Sequence, residues 1–319
     1  MSQDTQNKNT IENLVIIGSG PAGLTAGLYS SRADLQPIIL DGEKPGGQLM
    51  GTSMVENWPG DKSILGPTLI MNMREHAKHF GCRFLAKTVK DVDTTQKPFT
   101  ITTHDDQIIK THAIIIATGA SPRRLGVEGE DEYWGKGITT CAVCDGAFYT
   151  DKKVIIIGGG DSAMEDASFL HKFTKDITLI HIKDTLTASV PMQKRVLNNP
   201  DIKIIYNSTV TGFFGDDNRV TEAEVTNLQT NEKQILPIDG AFVAIGLIPN
   251  TGFLKGKIDL SEHGYVVVKG EKAHTKTSVE GIFAAGDVFD PFYRQAITSS
   301  GTGCMAAIDA ERYLAQLLE

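Results

Sequence analysis

Basic clusters, long apolar runs and cysteines are all scarce in this chain. Lysine and arginine number 31 against 39 aspartates and glutamates, for a net charge of -8. Nowhere do the basic residues gather into the stripe that a nucleic acid would need, so nucleic-acid binding is not expected. No apolar stretch approaches the roughly 18 residues of a membrane span. The first ten residues, MSQDTQNKNT, are polar; they lack the apolar region of a secretory signal and read as a frayed tail. The expected setting is the cytoplasm, which keeps thiols reduced. The four cysteines, Cys82, Cys141, Cys144 and Cys304, are therefore not expected to form structural bridges. A length of 319 residues suits roughly two domains.

What the chain does contain is a repeated theme. Asn13 to Gly23 reads NLVIIGSGPAG, and Lys153 to Ala163 reads KVIIIGGGDSA. Each is a β-branched apolar run, then glycines, then an amphipathic stretch, the pattern of buried strand, tight turn and helix. Two such copies imply two nucleotide-binding units. In the first, Gly18 makes the turn, Gly20 lets backbone approach a pyrophosphate, and Gly23 lets helix and strand pack closely. Pro21 and Ala22 open the helix, whose free N–H groups favour an anion. Asp41 closes the next apolar run, where an acid binds the ribose of a dinucleotide. In the second copy Gly158, Gly160, Asp161, Ser162 and Ala163 hold the equivalent places. The next strand ends in His181, Ile182 and Lys183, without the acid that selects NAD or the arginine that accommodates a 2′-phosphate.

Other helices are expected from about Ala22 to Ala33, over Gly66 to Gly81, and from about Thr302 onward. Strands are expected between Phe84 and Lys110, at Ala113 to Gly119 and at Ala241 to Asn250. The segments Ser121 to Gly126 and Gly246 to Asn250 are candidate crossings between domains. On that reading residues 11–121 with 248–319 form one discontinuous domain, and 122–247 form a second domain inserted into it.

Cys141, Ala142, Val143 and Cys144 make a CxxC pair. A zinc site needs two further ligands, and the chain has no second CxxC and no paired histidines, so no metal is expected. Buried structural cysteines are the second reading. A redox pair is the third and is preferred, because the thiolate of a CxxC or a helix N-terminus is stabilised and attacks disulfides. Asp145 follows, either as a proton shuttle, the preferred role, or as a helix cap. Cys82 and Cys304 are read as inert core thiols.

Taken together and in order, these motifs resemble the low-molecular-weight thioredoxin reductases from about residue 11 to 319. The residues that carry the resemblance are the turn Gly18–Gly23, Gly46 to Leu49, Glu56 to Gly60, Ala117 to Gly119, Cys141 to Gly146, Gly158–Ala163, Gly286 with Asp287, Tyr293 to Ala296 and Gly301 to Ala307. The resemblance implies an α/β fold of two Rossmann-like nucleotide-binding domains, with FAD in the discontinuous domain. The inserted domain would carry NADPH, or NADH, and the disulfide. Electrons would pass from the nicotinamide through FAD to a Cys141–Cys144 disulfide and on to thioredoxin. Cys144 would be the flavin-side thiol and Cys141 the one that attacks thioredoxin.

The same resemblance places Gly47, Gln48, Asn57, Thr118, Gly119, Asp287, Arg294, Gln295 and Ala296 around the flavin nucleotide, and it implies a homodimer. It also shows a departure. Where the family has arginines for the 2′-phosphate, this chain has Ile182 and Thr187, leaving Lys183. An alternative keeps FAD and the CxxC pair but takes electrons from ferredoxin, or runs as a dithiol oxidase.

Overall fold

A computed structural model describes residues 11–52, 54–269 and 275–318. The first ten residues, read above as a tail, lie outside the described residues. The chain divides into two compact units, one holding the described residues up to Ser121 together with those from Ile248 onward, the other Pro122–Leu247.

In the first unit β1 (Ile11–Ile17) leads through a glycine turn into α1 (Pro21–Arg32) and then β2 (Ile38–Leu40). Helix α2 (Gly66–His79) follows, then β3 (Arg83–Leu85), β4 (Val89–Asp93), β5 (Phe99–Thr103) and β6 (Ile108–Ile116). The sheet order is β3-β2-β1-β6-β5-β4, and Ile282–Ala284 lies parallel beside β6. β1, β2, β3 and β6 run parallel. The apolar runs Leu14–Ile17, Ile38–Leu40 and Ala113–Ile116 in β1, β2 and β6 are buried throughout, as strands covered on both faces are. Alternation along β1 sorts its side chains: Leu14 and Ile16 join the core under α1 and the C-terminal helix, whereas Val15 and Ile17 join the core with Val92, Phe99 and Leu254.

The C-terminal helix spans Ala296–Leu318 and begins earlier than the expected start near Thr302. In the fold a Cβ on Gly303 would lie 2.2 Å from the Ala22 carbonyl oxygen, so this glycine serves close packing of helix on α1. The helix start is fixed by Thr298, whose hydroxyl donates to the Gln295 carbonyl at 3.0 Å.

The second unit repeats the plan. It contains β7 (Ile138–Thr139), α3 (Ala142–Asp145), β8 (Lys153–Ile157), α4 (Asp161–Leu170), β9 (Asp176–Ile180), α5 (Val190–Leu197) and β10 (Ile202–Ile205). An antiparallel sheet, β11 (Ser208–Gly215), β12 (Val220–Asn227) and β13 (Lys233–Pro237), precedes β14 (Gly240–Val243). The parallel sheet is ordered β7-β14-β8-β9-β10. Each unit thus puts a glycine turn at the carboxyl end of its first long parallel strand, the place where open α/β sheets bind ligands.

Candidate active site

In the first unit the three glycines of the turn are separable by what a side chain would meet. Gly18 has φ +108°, and a Cβ there would lie 2.4 Å from the Ala117 carbonyl oxygen. A Cβ on Gly23 would lie 1.9 Å from the Gly18 carbonyl oxygen, so this residue lets α1 press on β1. Gly20 has no atom within 4 Å of where its Cβ would be. It stands at the N-cap of α1 with Pro21 behind it, and the space it leaves faces the free N–H groups of the helix. That opening fits a diphosphate.

Of the other predicted residues of the unit, Gly47 stands beside the turn, where an added Cβ would lie 3.5 Å from the Gly20 Cα. Gly47 has φ +68°, and the Gln48 amide donates to the Ala120 carbonyl at 2.9 Å. The Asn57 amide donates to the Gln295 side-chain oxygen at 3.3 Å, which brings together two residues 238 positions apart. The Thr118 hydroxyl donates to the Asn250 carbonyl at 2.8 Å, and the Asn250 amide returns a bond to the Thr118 carbonyl at 2.9 Å. Gly119 (φ +66°) and Arg294 (φ +52°) both adopt left-handed backbone. Asp287 rides a 3-10 turn, Gly286–Val288. Burial pushes its carboxyl pKa up, and the Ser299 hydroxyl, donating at 2.8 Å, opposes the shift.

Asp41 is placed differently from a bare ribose acceptor. Its side chain is 4% exposed and paired with Arg74 of α2, whose guanidinium donates to both carboxylate oxygens at 2.6 and 2.9 Å. Arg74 also lies over the Phe84 ring, 3.9 Å from its centroid. The sequence reading missed Arg74, which stands 33 positions away and has no motif of its own. A carboxylate has about four lone-pair directions, so this pair leaves acceptor capacity for a ribose hydroxyl.

In the second unit Gly158 has φ +147°, and a Cβ would lie 2.4 Å from the Ala244 carbonyl oxygen. At Gly160 the nearest atom to an added Cβ is the Thr187 hydroxyl at 3.9 Å, so the approach to α4 is open here too. Ala163 is fully buried beneath the turn, and Ser162 follows Asp161 in the first turn of α4. The loop after β9 is strapped onto the turn. Thr187 and Ala188 N–H groups both donate to the Gly159 carbonyl, at 2.8 and 3.0 Å, and the Ser189 N–H donates to the Asp161 carboxylate at 2.7 Å. His181 is buried under Gly159 with its Nε2 3.0 Å from the Thr185 carbonyl oxygen, and burial lowers its pKa. It is thus a neutral structural ring. Ile182, Lys183 and Asp184 are exposed beyond it.

Cys141 and Cys144 are joined in a disulfide, which leaves neither sulfur a free thiol. Both are half-buried. Cys141 is the N-cap of the short helix α3, and its sulfur accepts the Cys144 N–H at 3.1 Å. Gly146 is buried against Phe169 and Phe173, which would sit 3.1 to 3.3 Å from an added Cβ. Asp145 makes no side-chain capping bond. Its carboxylate accepts instead from the Thr139 hydroxyl at 2.5 Å. Burial pushes the Asp145 carboxyl pKa up, and the Thr139 bond partly offsets this. Thr139 was also missed in the sequence, where it is one of two adjacent threonines.

Of the other cysteines, Cys82 is buried, and burial pushes its thiol pKa up to about 11. Cys304 is half-buried, not a core residue as expected, because it lies on the outer face of the C-terminal helix and lines a groove with Tyr29, Trp58 and Met73.

Residues 12–303 match the family described as pyridine nucleotide-disulphide oxidoreductase. The chain is 44% identical to a thioredoxin reductase of Streptomyces clavuligerus over 97% of its own length and 96% of that protein. It is 43% identical to the NADPH-dependent thioredoxin reductase 3 of Arabidopsis thaliana over 98% of its length and 60% of the relative. The solved structure of thioredoxin reductase from Giardia duodenalis superposes with a TM-score of 0.90 at 41% identity, covering 95% of this chain and 98% of that one.

Proposed function

Since the chain belongs to the pyridine nucleotide-disulphide oxidoreductase family, in its low-molecular-weight thioredoxin reductase branch, we propose that it is a flavoprotein disulfide reductase whose substrate is thioredoxin. The observation that carries this reading is the Cys141–Cys144 disulfide on a four-residue helix, with a half-buried acid as the next residue. FAD, when bound, supplies the two-electron chemistry that links a reduced nicotinamide to the disulfide.

The chain's own groups have distinct tasks. The first unit holds FAD, with the diphosphate at Gly20 and the α1 N-terminus, and the ribose at Asp41. Gly47, Gln48, Asn57, Thr118, Gly119, Asp287, Arg294, Gln295 and Ala296 stand around it. The second unit holds the nicotinamide dinucleotide at Gly158, Gly160 and the start of α4. NADPH is the donor, in keeping with the name of the Arabidopsis relative, and Lys183 is the cation offered to its 2′-phosphate. The ferredoxin-fed and oxidase alternatives are set aside, because the open approach at Gly160 is what a dinucleotide needs.

Once reduced, the pair acts through thiol–disulfide exchange. The Cys141 thiolate attacks a sulfur of the thioredoxin disulfide; that S–S bond breaks, and the leaving thiolate takes a proton from Asp145. Cys144 then passes its proton to the ionised Asp145 and attacks the Cys141 sulfur, breaking the mixed disulfide and restoring Cys141–Cys144; the second thioredoxin sulfur leaves as a thiolate and takes that proton. A carboxyl whose pKa is raised by burial retains its proton closer to neutrality, as a general acid must.

We assign the protein to the cytoplasm, where free thiols such as Cys82 and Cys304 persist. We assign it the family's homodimeric state, supported by exposed apolar side chains on one face of the C-terminal helix, Ile297, Met305 and Ile308. Among the described residues no helix is long and apolar enough to cross a membrane. The test is anaerobic mixing of the flavin-loaded protein with NADPH and, separately, NADH. Bleaching of the flavin absorbance by a nicotinamide is the expected result; bleaching by neither refutes the reading.

A further inference from the structure

Thr139 ends β7 in register with Phe242 of β14, two residues before the redox pair. Its hydroxyl makes two bonds. It donates to Asp145 Oδ2 at 2.5 Å and accepts the Cys141 N–H at 3.3 Å. The same segment is closed by the Asp145 N–H, which donates to the Cys141 carbonyl at 3.1 Å. One hydroxyl therefore ties the strand end, the backbone of one cysteine and the acid into a single small network.

We propose that Thr139 is a positioning residue for the disulfide chemistry, directing which oxygen of the Asp145 carboxyl carries the proton. The inference rests on the role given to Asp145 under the proposed function. A hydroxyl has one hydrogen and two acceptor sites. The oxygen accepts the Cys141 N–H and its single hydrogen is directed at Oδ2, which then serves as the acceptor oxygen. The proton of the neutral carboxyl is left on Oδ1, free to be given to a departing thiolate. Burial supports this division, since it favours the neutral carboxyl. Tyr149, on the 3-10 turn Gly146–Tyr149 that follows α3, does not compete: burial, Asp145 and Asp239 hold its phenol at about 12, so it stays neutral.

The proton matters only when the leaving sulfur needs it. Exchange with thioredoxin expels an ordinary alkyl thiolate. Exchange with 4,4′-dithiodipyridine expels a thiolate of low basicity, which leaves readily unaided. Loss of the Thr139 hydroxyl should therefore slow the first reaction and spare the second. A general structural defect would slow both.

The test uses flavin-loaded protein, chemically reduced and freed of reductant, in stopped-flow reactions with oxidised thioredoxin and with 4,4′-dithiodipyridine. Thr139→Val removes the hydroxyl at constant shape, and Thr139→Ser keeps it. The expected result is a loss of about tenfold for thioredoxin with Thr139→Val, a fraction of what a general acid contributes. Dithiodipyridine should change by less than about twofold, and Thr139→Ser should behave as wild type with both. Equal rates for Thr139→Val and wild type with thioredoxin, equal slowing with both disulfides, or failure of Thr139→Ser to restore the rate would each overturn the proposal. If wild-type protein itself fails to reduce thioredoxin, the proposed function falls, and the role of Thr139 in that proton transfer falls with it.

Discussion

Replacing Arg74 with methionine removes the partner of an acid that the fold has taken out of water. Asp41 has a side-chain exposure of 4% and Arg74 of 26%, with two hydrogen bonds between them at 2.6 and 2.9 Å. Breaking a buried pair by deleting one member costs about 3–5 kcal/mol. The partial exposure of Arg74 puts the expected loss at the lower end, about 3 kcal/mol. Methionine retains an unbranched stem and so keeps part of the packing against Phe84.

The assay is urea unfolding of the apoprotein in a Trp134→Phe background. The chain has two tryptophans, and the remaining one, Trp58, lies in the first unit and reports its unfolding. Asp41→Asn should also destabilise, and the Arg74→Met/Asp41→Asn double variant should cost little more than either single change, because the groups act as a pair. A loss below about 1 kcal/mol for Arg74→Met, or strict additivity in the double variant, would refute the claim that this pair is a buried unit.

Three further outcomes are expected. The Asp287 carboxyl has its pKa raised above the unfolded value of 3.8 by burial, so its ionised form is a handicap to the apoprotein above the folded pKa and vanishes below the unfolded one. Asp287→Asn apoprotein should be more stable than wild type at pH 7, the gap closing as pH falls to about 3.5; a gap independent of pH in urea titrations would contradict this. With the Cys82 thiol at about 11, only about one molecule in a thousand is thiolate at pH 8, so iodoacetamide should spare Cys82 in native protein and label it only after unfolding, as peptide mass spectrometry would read. Ile182→Arg with Thr187→Arg should tighten NADP⁺ by at least about tenfold over NAD⁺ in titration calorimetry, since each charged bond to a phosphate is worth roughly 1.5–3 kcal/mol; an equal gain for both nucleotides would show that the loop after β9 does not face the 2′ position.

Much of the site was legible because glycine turns and a CxxC pair are local signals. The three glycines of the first turn differ in what crowds them, yet all three follow from a strand entering a helix at a ligand site. Residues whose role comes from tertiary contact were not legible. Arg74 reaches Asp41 across the unit from a helix that reads only as amphipathic, and Thr139 is distinguished from Thr140 only by where its hydroxyl points. Asn57 and Gln295 became a contact only once the strand Ile282–Ala284 joined the sheet and brought the C-terminal segment back. Gly303 gave no local sign of its task, since only the fold shows that its missing side chain lets the C-terminal helix touch α1.

The most direct test of the central claim is differential alkylation with mass spectrometry through one turnover. Flavin-loaded protein is reduced anaerobically with NADPH, and a portion is alkylated before and another after addition of oxidised thioredoxin. The account predicts that labels appear at Cys141 and Cys144 on reduction and disappear when thioredoxin is added. Thioredoxin reduced while Cys141 and Cys144 remain unlabelled throughout, or turnover persisting in Cys144→Ser, would contradict it.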